Sequence, residues 1–336
     1  MRRLLLVIFL AVILAIGGGV YVARKYYFDN LKAVSTSQKT LTITIPKGSG
    51  LSEVADIFYQ KGAIRSTWAF KQYVRNQGLQ DAIQAGTYAI KPNQTVAEIV
   101  DIITEGKVAS NLITIKPGQR LDQIEQTFVN AGFDPTAVEK AFNPALYNEH
   151  PALVDKPVGA SLEGYLYPES FQKTAETTPQ QIVTASLDEM AKRLTPSVRA
   201  SFAAKGLTVH QAIILASIVE QEVSEPADKP KVAQVFLKRL SVDMELGSDV
   251  TAFYGSIIAG QDPSVTFKSE YNTHYRKGLP PGPISNVSES SLEAVSNPAS
   301  TDWLFFVAGD DGITYFSKTL QDHEALTAQH CKKLCQ

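Results

Sequence analysis

Two glutamates one residue apart, Glu220 and Glu222, close a stretch that is otherwise almost wholly apolar: Ala212, Ile213, Ile214, Leu215, Ala216, Ile218 and Val219. Carboxyl groups delivered by a buried element are candidates for acid and base work, because loss of water disfavours the charged form and lifts the pKa towards neutrality. Residues two apart on a helix are rotated by about 200°, so these side chains serve different surroundings. Glu222 lies seven residues after Leu215 and four after Ile218, on their stripe, at the helix end where the macrodipole opposes an anion. A carboxylic acid still protonated near neutral pH is what a departing glycosidic oxygen requires. The plainer alternative is a pair of solvent-facing glutamates.

Other residues carry groups suited to a sugar site. Asp249, in Gly247-Ser248-Asp249, suits sugar hydroxyls or orientation of an acid, and equally suits a turn. Tyr271 offers a ring to stack on a sugar face, with Asn272 and Thr273 beside it as hydrogen-bonding groups, and Pro280-Pro281-Gly282-Pro283 stiffens the following loop. Glu163 and Glu169 flank an aromatic cluster and could be second carboxylates or buried polar scaffolding, with Glu163 the stronger candidate for the site. The five histidines show no metal-ligand spacing, so neither a metal nor a cofactor is expected. Cys331 and Cys335 are four apart on an expected terminal helix, a poor geometry for a disulfide. Across 336 residues, 32 basic side chains face 34 acidic ones, a balance unlike the basic field of a nucleic-acid binder.

The elements that must hold these groups can be read from capping and periodicity. Thr208 and Gln211 form a capping box that opens the helix ending in Glu220-Gln221-Glu222, and Thr178 caps a helix carrying Val183, Leu187, Met190 and Leu194. Further upstream, a shift of 70 residues superposes Ile43-Thr44-Ile45 on Ile113-Thr114-Ile115, Gly48 on Gly118, Phe58 on Phe128 and Gly62 on Gly132. Two copies of one strand-turn-helix unit are expected, against chance likeness of two short patterns. A helix over 68–75, a strand over 86–90 and a helix over 96–104 complete a small module. Leu4 to Ala23 is apolar for twenty residues, about 30 Å of helix, and no A-x-A-like site follows it, so one membrane span is expected rather than a cleaved signal. The polar stretch Ala33 to Lys39 is expected to be a tether.

Six blocks occur in order: Leu162-Glu163-Gly164-Tyr165-Leu166-Tyr167-Pro168-Glu169, Leu215 to Glu222, Val235 to Leu240, Ser248 to Gly255, Tyr271-Asn272-Thr273, and Gly278 to Ile284. Together they resemble the endolytic murein transglycosylase family, MltG or YceG-like, over nearly the whole chain. The resemblance implies an α+β protein with a single N-terminal transmembrane helix (4–23), a cytoplasmic N-terminus (1–3), a linker (24–40), a small LysM-like module (41–108) and a larger mixed α/β catalytic domain (109–336). It implies cleavage of the β-1,4 bond between N-acetylmuramic acid and N-acetylglucosamine within glycan strands, leaving 1,6-anhydro ends and limiting nascent strand length. Glu222 falls on the family's catalytic acid, and the resemblance favours a functional Asp249. Peptidoglycan strands, the inner membrane and peptidoglycan synthases of elongation or division are the implied partners, with the catalytic domain in the periplasm. The rival class is a non-enzymatic wall-binding or assembly protein. Departures from the family pattern fall at Gln221, Lys238, Gly247 and Val250, and in Asn286-Val287-Ser288.

Overall fold

A computed structural model describes residues 17–19, 21–37, 40–107, 112–174 and 176–333. It divides into two compact units, Met1–Leu112 with Ser170–Thr174, and Ile113–Glu169 with Ala175–Gln336. The expected span over 4–23 lies largely outside the described residues, among which no helix is long and apolar enough to cross a membrane.

The first unit runs β1 (Leu41–Ile45), α1 (Leu51–Gln60), α2 (Thr67–Asn76), β2 (Gly86–Ile90) and α3 (Val96–Thr104). Alternation in β1 sends Ile43 and Ile45 inward, and antiparallel pairing sets Ile43 opposite Tyr88. These residues meet Phe58 and Phe70, whose rings stack at 5.8 Å, in one continuous apolar core. The capping box expected at α3 is formed: Thr95 N donates to Glu98 Oε2 at 2.7 Å and Glu98 N to Thr95 Oγ1 at 3.3 Å. Ser170–Thr174 belongs here because Gln172 N donates to Thr42 Oγ1 at 3.3 Å.

The described part of the tether is no free spacer. Arg65 Nε donates to Ala33 O at 2.8 Å and Ser35 N to Pro92 O at 3.1 Å, so the chain leading into β1 is strapped to the module. Polar composition alone suggested a loose linker. Backbone carbonyls and amides of any sequence can be tied down when a donor such as Arg65 lies opposite.

Two more short strands follow, β3 (Leu112–Thr114) and, later in the chain, β4 (Ser170–Gln172). Helix α4 (Leu121–Asn130) begins and ends 70 residues after α1, with Gly48, Gly62, Gly118 and Gly132 all at positive φ, so the local strand-turn-helix form recurs as the sequence pattern indicated.

The second unit continues with α5 (Pro135–Ala141), α6 (Pro179–Arg193), α7 (Pro196–Ala203), α8 (Val209–Glu222), α9 (Lys229–Ser241), α10 (Asp249–Ile258), α11 (Glu289–Ser296), the hairpin β5 (Phe305–Ala308) and β6 (Thr314–Ser317), and α12 (Leu320–His330). Helix α8 is the axis of this unit. Residues Val209 to Val219 are all buried except Gln211, and α7, α9, α10 and α11 pack around them. Apolar residues on every side are what a surrounded helix needs, and the Thr208–Gln211 capping box supplies its start. Gly164 lets the 162–169 segment lie against α8: its φ is +85°, and a Cβ there would come 2.5 Å from Pro283 and 3.0 Å from Ile213.

The terminal helix stops at His330, earlier than expected, and Cys331 caps it in a non-helical conformation. The objection to a disulfide, which assumed a helix through both cysteines, therefore lapses. Cys331 is disulfide-bonded, and Cys335 lies outside the described residues.

Candidate active site

Glu222 is the last residue of α8, and Val223 breaks the helix with an extended backbone (φ −140°, ψ 131°). The turn after α9 brings Ser248 over it, and Ser248 Oγ donates to Glu222 Oε1 at 2.5 Å. Ser248 is itself buried and held on a small lattice of hydroxyls. Its amide donates to Thr273 Oγ1 at 3.0 Å, its carbonyl accepts from Thr251 Oγ1 at 2.6 Å, and Thr251 and Thr273 share a hydroxyl contact of 2.8 Å. One oxygen of Glu222 is thus fixed, which leaves Oε2 to present a proton.

Burial pushes the Glu222 carboxyl up to about 7, and the negative charge of Asp249 adds to the rise. The Ser248 hydrogen bond and the positive charge of Arg239 oppose it without overcoming it. Arg239 belongs to α9 and is itself fastened, with Nε donating to Leu304 O at 2.7 Å and a second nitrogen to Leu246 O at 2.5 Å. At neutral pH such a group divides between acid and carboxylate, so it can give a proton and take one back.

Glu220 has the opposite fate, as a rotation of about 200° requires. Its Oε2 accepts from Lys229 Nζ at 3.1 Å, Ser288 N at 3.0 Å and Ser291 Oγ at 2.6 Å, and both Glu220 and Lys229 are nearly inaccessible. Burial raises its pKa, but the serine bonds and Lys229 together hold the carboxyl below the usual range, as a carboxylate. It ties α8 to the start of α11.

The remaining candidates divide by accessibility. Asp249 opens α10 with its side chain exposed, and His274 Nε2 meets its Oδ1 at 2.8 Å. Tyr271 is half-buried, with its ring 4.7 Å from that of Tyr254. Asn272 and Thr273 have no accessible surface, and this corrects their expected role as direct sugar ligands. The Asn272 amide donates to Val265 O and Phe267 O, while Thr273 supports Ser248, so both shape the loop from within. Glu163 is buried too. Its oxygens accept from Leu121 N at 3.1 Å, at the first turn of α4, and from Tyr254 Oη at 3.1 Å. Burial raises this carboxyl to about 7 against those bonds, and its place behind Tyr254 makes it a support for the tyrosine pair.

Ser248, Arg239, His274 and Tyr254 escaped the sequence reading as site residues. Ser248, Arg239 and Tyr254 lay within the family blocks and His274 directly after one, which was the available signal; that they meet at one site follows from chain reversal. One departure from the family pattern, Gln221, acquires a local account beside Asn286, the asparagine that the pattern keeps. Gln221 faces outward and donates to Gly118 O at 2.7 Å, while Asn286 accepts from Gln119 N at 2.9 Å and donates to Lys116 O at 3.0 Å, so together they clamp the glycine turn before α4. Lys238 is exposed on α9. The hollow of about 560 Å³ near the start of α8, lined by His210, Leu240 and Pro280, contains neither Glu222 nor Glu163.

The sequence matches the YceG-like family over residues 43–329. The chain belongs to that family. Among its relatives, an endolytic murein transglycosylase of Bacillus subtilis is 29% identical over 91% of this chain and 88% of its own length. One of Streptococcus pneumoniae is 28% identical over 96% of this chain, which spans 64% of that longer relative. The crystal structure of a YceG-like protein of Listeria monocytogenes superposes with a TM-score of 0.57 at 32% identity, covering 86% of this chain and all of that one. In this YceG-like chain the catalytic position implied by resemblance is thus also the carboxyl that its own geometry prepares for proton transfer. Among the described residues no group of histidine, cysteine or acidic side chains could hold a metal ion.

Proposed function

We propose that this chain is an endolytic murein transglycosylase, a lyase that cuts peptidoglycan between N-acetylmuramic acid and N-acetylglucosamine within the strand. The observation that carries the reading is the Glu222 carboxyl, raised to about 7 by burial and held at one oxygen by Ser248. Protonated Oε2 gives its proton to the bridging oxygen, and the bond to the anomeric carbon breaks. The resulting carboxylate then takes the proton of the muramyl C6 hydroxyl, whose oxygen closes on the anomeric carbon as a 1,6-anhydro ring. The acid is restored and no water is consumed. Hydrolysis instead needs a second carboxyl free to activate water or attack the sugar. Glu163 favours the first course, because its oxygens are occupied by Leu121 N and Tyr254 Oη.

A non-enzymatic wall-binding protein would have no use for a partly buried acid of raised pKa fixed by a serine, so the catalytic reading is preferred. On the same reading Asp249 and Tyr271 face the substrate, the first unit serves as a LysM-like module that orients glycan, and Leu4–Ala23 anchors the chain in the inner membrane with its catalytic domain in the periplasm. Peptidoglycan synthases are the partners that such a position favours, with control of nascent strand length as the outcome.

Mass spectrometry of digested glycan strands tests the chemistry. Fragments ending in 1,6-anhydro-muramic acid, lighter by one water than hydrolysis products, are expected. Reducing ends alone would make the protein a hydrolase.

A further inference from the structure

Residues 21–30 are helical and carry the end of the apolar run of Leu4–Ala23 into the residues after it. This helix leaves Tyr26 and Phe28 about half exposed, at 55% and 49%. Trp68, the second residue of α2, is 49% exposed, yet its ring lies 6.0 Å from those of both Tyr26 and Tyr27. One aromatic surface is therefore assembled from two segments some forty residues apart, and it is left open to solvent. The end of the helix is tied to the module. Val96 N donates to Leu31 O at 3.0 Å, Leu31 packs on the module's core, and Arg65 holds Ala33.

Distance along the helix places these rings. Tyr26 and Phe28 lie three and five residues beyond Ala23, roughly 4.5 to 7.5 Å at 1.5 Å per residue. The headgroup layer on each side of a bilayer's hydrocarbon core is about 5 to 7 Å thick. Trp68, in ring contact with Tyr26 and Tyr27, must share their depth. Tyrosine and tryptophan favour that layer because one part of the ring is apolar and the other can donate a hydrogen bond. Arg24 and Lys25 add positive charge at the same level, and the Arg24 guanidinium lies 5.5 Å from the centre of the Phe28 ring. Charge of that sign suits anionic lipid.

We propose that the first unit docks on the bilayer surface through this cluster, with Trp68 seated among the lipid headgroups. The module is then a part of the membrane interface rather than a domain suspended above it. The inference rests on the single-span anchor proposed above, and the test separates the two.

The chain has two tryptophans, so Trp303→Phe leaves Trp68 as the only indole and Trp68→Phe leaves Trp303. Each full-length variant is reconstituted into liposomes of phosphatidylcholine and phosphatidylglycerol, with and without lipid brominated near the headgroup end of its acyl chains. Flotation with the liposomes reports the anchor. Quenching of Trp68 at least about two-fold greater than that of Trp303, with a blue-shifted emission, is the expected result. Trp303→Tyr replaces the Phe variant if the latter fails to fold, since the Trp303 ring stacks on Phe316 at 4.8 Å. A chain that floats with Trp68 quenched no more than Trp303 overturns the docking and leaves the anchor. A chain that does not float removes both.

Discussion

Protonation of one carboxyl governs what can be measured at Glu222. Glu222→Gln keeps the shape and loses the transferable proton, so turnover on glycan strands should fall by ~10² to 10⁴. The same change should alter stability in a definite direction. Because burial raises the folded pKa to about 7 above the ordinary 4.5, the folded state binds the extra proton between those values. Stability contributed by that proton is present below the unfolded pKa and is lost as pH rises through 7. Glu222→Gln should therefore melt higher than the parent at pH 8, with the gap narrowing towards pH 4.5. Thermal unfolding followed by circular dichroism at the two pH values decides it, and equal gaps would contradict the raised pKa. Ser248→Ala removes a bond that favours the carboxylate, so the alkaline limb of the pH–rate profile should move up while kcat falls. Ser248→Thr, which keeps the hydroxyl, should stay close to the parent.

Helix α8 carries its two glutamates to different ends. Glu222 serves the site, whereas Glu220 joins α8 to Lys229 of α9 and to Ser288 and Ser291 around α11. Removing one member of a buried ion pair leaves the other charge unmatched, and Glu220→Gln should cost about 3 to 5 kcal/mol in urea unfolding. The Glu220 pKa is lowered, so its contribution is present above the unfolded value and disappears as pH falls through the folded one. The penalty should shrink in acid. What remains folded should retain the parental pH–rate profile, which separates this residue from Glu222. Gly164→Ala combines a left-handed backbone with a Cβ contact of 2.5 Å to Pro283, so it too should lower the melting temperature.

At the scale of the molecule, the anchor and the wall substrate proposed above together require the catalytic unit to lie outside the cytoplasm. Full-length protein should sediment with the inner membrane, and a reporter fused after Gln336 should be active only when exported. A soluble form beginning near Arg24 would mean that the apolar segment is a cleaved signal. The segment Ser170–Thr174, which leaves the run of the second unit to join the first, is a feature of the chain path that no boundary drawn between 108 and 109 could contain.

Local rules were enough for much of this protein. Capping boxes at Thr95, Thr178 and Thr208 fixed helix starts, alternation fixed β1, and the 70-residue repeat anticipated a helix at α4, because each depends on groups within a few positions of one another. The angle between Glu220 and Glu222 was likewise a matter of helix geometry, and family blocks marked Glu222 as the acid. Tertiary structure decided what those carboxyls meet. Desolvation and hydrogen bonding come from residues distant in the chain: Ser248 on Glu222, Lys229 and Ser288 on Glu220, Tyr254 and Leu121 on Glu163. The same applies to Asn272 and Thr273, polar residues that read as ligands until folding enclosed them and turned their bonds towards backbone carbonyls and hydroxyls. A side chain's type states which bonds it can make. Only packing, which excludes water from some groups and leaves others wet, states which bonds it does make and therefore where its proton is held.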